Sequence, residues 1–445
     1  MFAPGHLGEL TRIVSFDLVD AVLGETRRVE RRVRLVPSRV VVYFLLAMAL
    51  FGGMGYRQVW ARLSAGLDGL GLVTPSSSAL RQARRRVGSA PVKALFELVA
   101  GPLARLRTPG GWWRGLRVVA FDGTTIAVPD SDANRARYGK RASRNGETGY
   151  PVVRLVALVE CGTRAMLGAL FGSPSAGELD YATRLLDRLC PGMLLLADRN
   201  FDAGPFLAQT AATGADLLVR LKANRRPLLL RRLRDGSILS IIAGIQVRII
   251  EATVSVRGAD GTHRTEAYRL ATTLLDPAAY PAPDLLRVYH QRWEIESAFL
   301  AIKDTIVGGA VMRSHDPVGI EQEIWALLSV YQILRIAMTD ATDSLPGTDP
   351  DRAGFSVALH AARDQVIAAH NVLASTTIDL VGTIGRQILA NLLLPRRPRT
   401  SPRTVKRTLS KYSYNTRHPT TATTITITID ITDAAASPLT RGSPP

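Results

Sequence analysis

YHQRWEIESAFLAIK, residues 289–303, is the stretch on which the reading of the fold turns. It reads as a helix: Pro283 and Asp284 supply a start signal, and neither Gly nor Pro intervenes before Gly308. At about 100° per residue, Tyr289, Arg292, Glu296 and Lys303 fall in one stripe roughly 60° wide. Val288, Ile295, Phe299 and Ile302 form an apolar stripe beside it. One edge of a core-facing helix thus carries an acid, two cations and a phenol. Taken alone, that edge is equally a solvated face with an Arg292–Glu296 ion pair at i,i+4. The rest of the chain decides between the two.

The chain has 445 residues, enough for two or three domains with sizeable cores. It carries 56 Lys and Arg against 38 Asp and Glu, a formal net charge of +18. A field that basic suits a polyanion, either nucleic acid or an anionic membrane surface. Aromatic residues make up only 6%, which favours phosphate contact over stacking on single strands. The two cysteines, Cys161 and Cys190, are too few for a disulfide framework or a Cys-based zinc site. The most apolar run, Val40 to Phe51, falls short of the roughly 20 residues a membrane span needs, and Pro37-Ser38 caps it like a helix of a soluble core. The first residues lack the basic start and cleavage site of a signal peptide, so the expectation is a cytoplasmic, nucleoid-associated protein.

Working outward, residues 1–110 read as helical. Ser76 to Ser78 cap a short helix bearing Arg81, Arg84, Arg85 and Arg86; Gly88 stops it, and another helix begins near Pro91. Helix, Gly-containing turn, helix is the layout of a DNA-reading pair, and Arg81, Arg84 and Arg85 are the candidate contacts. From Leu116 the pattern changes to strands. Leu116 to Phe121 ends at Asp122-Gly123, with Thr124 to Val128 expected back as its hairpin partner. Val152 to Glu160 and Ala165 to Phe171 continue the meander. Met193 to Ala197 is wholly apolar and delivers Asp198 at its end. Strand meander, helix, strand, helix, strand implies a mixed α/β sheet with helices on its faces. Residues 224–276 read as a β-rich insertion surplus in Arg, with strands at Ile238 to Ser255 and Thr265 to Leu275 joined by a turn at Gly258 to Gly261. Beyond residue 303 come three helices, then a basic tail from Pro395 read as a phosphate-binding arm and poorly ordered, whose alternating TTATTITITIDIT also permits an edge strand.

Asp122, Asp198 and Glu296 then stand out. An Asp after a strand is a common turn former, so each alone says little. Together they offer oxygen ligands of the kind hard divalent cations take, and three acids can hold two ions about 3.5–4 Å apart. Acids beside a DNA phosphate would repel it unless a cation shared the site.

On these residues the chain resembles the DDE transposases of the insertion-sequence-four type. The resemblance spans roughly residues 20–415. Its most specific part is the Tyr-x2-Arg-x3-Glu-x6-Lys signature, met by Tyr289, Arg292, Glu296 and Lys303. FDGTTIAVPDSDANRARYG, LLLADRNF and SSALRQARRRVG support it in the expected order. The resemblance implies an RNase H-like core, begun in residues 111–223 and completed in 277–394, preceded by a helical DNA-binding domain and followed by the tail, 395–445. It implies Asp122, Asp198 and Glu296 as the metal-binding triad, with Mg²⁺ or in its place Mn²⁺. Arg292 and Lys303 would hold terminal phosphates of an element end, and Tyr289 would position the strand near them. The implied partner is double-stranded DNA, terminal inverted repeats and target alike, held by a homodimer. A nuclease without strand transfer and a non-catalytic DNA-binding derivative are the alternatives. Relatives that form hairpins can stack a flipped base on a Trp of the insertion; residues 224–275 hold none, so either Tyr268 or His263 takes that role or the hairpin step is absent.

Overall fold

The structure, a computed structural model, describes residues 5–32, 34–67, 71–143, 146–257, 263–369, 381–395 and 426–431. Five helices come first: α1 (Phe16–Glu25), α2 (Ser38–Leu50), α3 (Tyr56–Ser64), α4 (Ser77–Val87) and α5 (Ala90–Val99). Then follow β1 (Trp112–Trp113), β2 (Leu116–Ala127), α6 (Asp132–Tyr138), β3 (Arg141–Ser143), β4 (Gly146–Thr148), β5 (Val152–Glu160), β6 (Met166–Gly172), α7 (Glu178–Thr183), β7 (Met193–Ala197), α8 (Gly204–Ala212) and β8 (Asp216–Arg220). Next are β9 (Arg231–Arg232), β10 (Ile238–Ile242), β11 (Ile245–Arg257) and β12 (His263–Thr272), and after them α9 (Ala282–Tyr289), α10 (Trp293–Leu300), α11 (Pro317–Asp343), α12 (Phe355–Ile367), α13 (Gly382–Ala390) and β13 (Thr426–Ile431). An antiparallel meander β2–β5–β6, then helix, strand, helix, strand, is the element order of an RNase H-like core.

The chain packs as two units, Met1–Met193 with Arg292–Pro395, and Leu194–Gln291 with Arg396–Pro445. In the first, β2 lies between β1 and β5, all antiparallel, with Asp122 opposite Ala157. The expected hairpin at Asp122-Gly123 does not form: β2 runs straight through it. Asp-Gly is a turn signal only when the flanking chain is free to fold back. Here the β5 run pairs with β2 from Val119 to Ala127, and β-branched Thr124, Thr125 and Ile126 favour the extended form. Gly123 lies close beneath Glu178, whose side-chain end would have to move aside for a Cβ there.

The helices of this unit gather on α11, a 27-residue helix buried from Gly319 to Thr342 over most of its surface. A helix apolar all round belongs inside. α2 is of the same kind: Val41, Val42, Tyr43, Phe44 and Leu46 are wholly buried, as expected of the Val40–Phe51 run. Among the described residues no helix is long and apolar enough to cross a membrane. Cys161 is buried and Cys190 exposed.

In the second unit β7 and β8 are parallel, with Leu194 beside Asp216, and β12 runs antiparallel to β8. β12, β11, β10 and β9 continue antiparallel, so the insertion is β-rich as read. One expected strand, Ile238 to Ser255, is two: Ala243 (φ 49°) and Gly244 (φ 83°) turn the chain between β10 and β11. The expected turn at Gly258 to Gly261 lies outside the described residues. Of the tail, 426–431 forms the strand that its alternation permits, pairing antiparallel with β11 from Ala252 to Arg257.

Candidate catalytic site and nucleic-acid face

In the first unit, β2 presents Asp122 and Thr124 on the same face, as alternate residues of a strand must. Asp122 Oδ1 accepts the Gly123 N–H at 2.9 Å. Arg292 reaches both acids of this unit: its Nη2 donates to Glu296 Oε1 at 3.0 Å, and its Nη1 lies 3.9 Å from Asp122 Oδ2. Lys303 Nζ donates to Thr124 Oγ1 at 3.2 Å. Two carboxylates held so near one another repel, and the guanidinium between them offsets that repulsion. The side chains are partly open, 11% exposed for Arg292, 18% for Asp122 and 30% for Glu296. The oxygen donors are carboxylates and a hydroxyl, the set that hard divalent ions accept.

The helix that carries this signature is not one regular α-helix, as its spacing predicted. α9 ends at Tyr289, a 3₁₀ turn spans His290–Arg292, and α10 passes into a π-helical stretch, Ala301–Ile306. Each change alters the residues per turn, so a stripe computed at one constant angle holds only within α10. Tyr289 leaves it. Its ring is 5% exposed and its hydroxyl donates to the Ala197 carbonyl at 3.2 Å. Through that bond it braces the residue before Asp198.

Asp198 belongs to the second unit. It is half-buried at the end of β7, and its Oδ1 accepts the Asn200 N–H at 2.7 Å, capping a 3₁₀ turn, Arg199–Phe201. Among the described residues no three His, Cys, Asp or Glu side chains cluster as a preformed metal cage. Tyr268 does not offer an open stacking face: the Arg220 guanidinium lies 4.2 Å from its ring centroid, and Tyr289 and His290 stand at 6.1 and 5.8 Å. The side chain of His263 lies outside the described residues.

On the basic face, Ser76 accepts the Ala79 N–H at 3.1 Å and starts α4; Gly88, at φ 73°, ends it and leads into α5. Arg84 is placed differently from Arg81 and Arg85. Only 3% exposed, Arg84 binds the Tyr56 hydroxyl and the Ser314 hydroxyl and lies 3.5 Å from Glu323, facing the core along with Leu80, Ala83 and Val87. It lies one turn from Leu80 and Val87, on the apolar side of α4, where a charge needs a buried partner. Arg81 and Arg85 face outward, Arg85 with Asp316 at 3.7 Å. α5 packs its Val92, Leu95 and Phe96 inward, Phe96 against Trp325 at 5.4 Å. The tail read as a basic arm lies outside the described residues except for β13. Thr124 is the site residue that sequence reading missed; alternation along a single unbroken β2 would have found it.

Two protein families match the chain, Insertion element 4 transposase N-terminal over residues 4–97 and Transposase DDE domain over residues 113–333. The chain is 26% identical over 405 residues to transposase InsG for insertion sequence element IS4 of Escherichia coli strain K12, covering 89% of this chain and 91% of that one. Among solved structures, a piggyBac transposase synaptic complex with hairpin DNA aligns at a TM-score of 0.43 and 12% identity, over 91% of this chain and 90% of the other.

Proposed function

The chain belongs to the DDE transposases of the insertion-sequence-four type, and from that premise we propose that Asp122, Asp198 and Glu296 are the catalytic carboxylates with which this DNA-transposing enzyme cuts element ends and joins them to a target. Enzymes of this type work with a divalent metal; the ion we assign is Mg²⁺, with Mn²⁺ able to replace it. Bound ions would supply Lewis acidity toward the scissile phosphate and lower the pKa of an attacking water. The residues do the rest. Asp122 is fixed by β2 and by its own backbone N–H bond, Glu296 by the rigid turn of α10, and Asp198 by its cap at the end of β7. Arg292 and Lys303 hold phosphate oxygens of the element end, Arg292 bidentately. Arg81 and Arg85 on α4 add backbone contacts that carry no base information. A homodimer would hold the two ends together, and binding to DNA would place the protein in the nucleoid.

The observation that carries this reading is one guanidinium shared by Asp122 and Glu296, with Lys303 tied to the same strand two residues on. Such an arrangement assembles acid and phosphate-binding cations around a single point. The test is cleavage of end-bearing duplex by Asp122→Asn, Asp198→Asn and Glu296→Gln variants. Each should lose Mg²⁺-dependent cutting while retaining end binding; cutting that survives any one change removes that residue from the triad.

A further inference from the structure

Beside α4 lies a cleft of about 260 Å³, lined on one side by Tyr56, Arg81, Arg84 and Arg85 and on the other by Arg313 and His315. Its charge does not balance. Four guanidiniums meet there, and the carboxylates against them are Asp316, 3.7 Å from Arg85, and Glu323, 3.5 Å from Arg84. Arg313 lends its guanidinium to two neutral acceptors, the carbonyls of Met48 at 2.9 Å and Phe51 at 2.8 Å. Burial holds its pKa below the usual arginine value, with the nearby Arg84 cation adding to that effect and Glu323 opposing it. Arg81, exposed on the rim, has no ion pair among the described residues.

A second feature points inward. Arg84 is 3% exposed, yet its Nε has no hydrogen-bond partner. A buried N–H on a charged group left unpaired is unfavourable, because nothing replaces the water it has lost. Around it stand the Arg81, Arg85 and Arg313 guanidiniums alongside the neutral Tyr56 and Ser314 hydroxyls, so the surplus charge of the cleft favours an anion as the missing acceptor. The first turn of α11 opens on the same cleft, with its Gly319 N–H already capped by Asp316 Oδ1 at 2.9 Å.

We infer that this cleft is a phosphate-oxyanion site, and that its occupant is a backbone phosphodiester of duplex DNA seated between α4 and the start of α11. The oxyanion part stands on charge and geometry alone. The duplex part rests on the reading above, that Arg81 and Arg85 face DNA, and it deepens that reading by giving the contact a pocket. A tetrahedral phosphate can take several guanidinium donors at once, which a carboxylate cannot match in shape. The cleft has room for the phosphate and part of an attached sugar. It lies outside the Asp122–Glu296 cluster and needs no metal.

The test uses the full chain without Mg²⁺, at fixed ionic strength, with inorganic phosphate exchanged for chloride. Phosphate should raise the midpoint of thermal unfolding by a few degrees as the site fills. Arg81→Gln, which removes an outward side chain with no packed partner, should weaken that effect several-fold. The same variant should lower the salt dependence of duplex binding by about one unit of slope. Phosphate should also displace a short duplex at lower concentration than chloride. If phosphate stabilises the protein but does not compete with duplex, the site holds a free anion and the duplex assignment is wrong. If phosphate acts no differently from chloride, or acts equally on Arg81→Gln, the site itself is wrong. Neither result depends on cleavage, so either can be told apart from failure of the catalytic triad.

Discussion

Two arginines flank helix α10, and each is set between two carboxylates. Arg292 joins Asp122 and Glu296; Arg164 joins Glu294 and Asp351. Glu294 and Glu296 are two residues apart on the same turn and emerge on different sides of it. The difference lies in what surrounds them. Arg164 and its partners are sealed, at 6%, 9% and 1% side-chain exposure, with Tyr331 closing over the Arg164 carbonyl. Arg292 is nearly as buried, but its partners stay partly open, Asp122 at 18% and Glu296 at 30%. A guanidinium between two acids is thus a strut where nothing else can enter, and an exchangeable counter-charge where an ion or a phosphate can. The chemistry of the groups is shared; access separates a support from a site.

The sharpest break of this comparison is to neutralise one glutamate at a time. Glu296→Gln should reduce metal-dependent end cleavage on the order of 10³-fold or more while leaving the unfolding midpoint nearly unchanged. Glu294→Gln should do the reverse, lowering stability while the protein that remains folded cleaves at close to the normal rate. Equal effects on cleavage would erase the distinction. Next in size, Arg164→Met should cost about 3–5 kcal/mol in denaturant unfolding, because it strands two buried carboxylates. Adding Glu294→Leu and Asp351→Leu should recover much of that loss. Arg292→Gln should cost less than Arg164→Met, because Asp122 and Glu296 keep access to water.

A third pair, in the insertion, tests the middle ground. Arg248 is fully buried against Asp235, whose carboxylate is 24% exposed. Burial alone would raise the Asp235 pKa, but the Ser237 hydrogen bonds and the Arg248 charge outweigh it and hold the carboxyl below its ordinary 3.8. A carboxyl with a depressed folded pKa stabilises above its unfolded pKa and loses that contribution as pH falls through the folded value. Acid unfolding below about pH 4 should therefore steepen through this pair, and Asp235→Asn should flatten that part of the stability–pH curve.

Sequence reading singles out the acids from chain order and residue type, which need no distances. It also reached the meander, the strand–helix alternation and the buried α2, all of which follow from hydrophobic pattern. It missed where a distant partner overrules a local signal. Asp122-Gly123 looks like a turn until β5 is seen to pair through it. Arg84 looks like one of four equivalent arginines, and only Glu323, 239 positions away, turns it inward. Tyr289 looks like part of one polar edge until the 3₁₀ turn at His290–Arg292 moves it to the Ala197 carbonyl. In each case the determining contact is long-range, and no window along the chain contains it.

Lys303 sits within the π-helical stretch, wound more loosely than the coil before it. Past Leu300, then, counting residues no longer measures angle. Deleting a single residue between Asp304 and Ile306 would let the coil tighten, swinging the ammonium away from Thr124 while Glu296 and Arg292 keep their places. That loosened coil acts as a set-screw, by which the distance between acid and lysine can be adjusted without rebuilding either mounting.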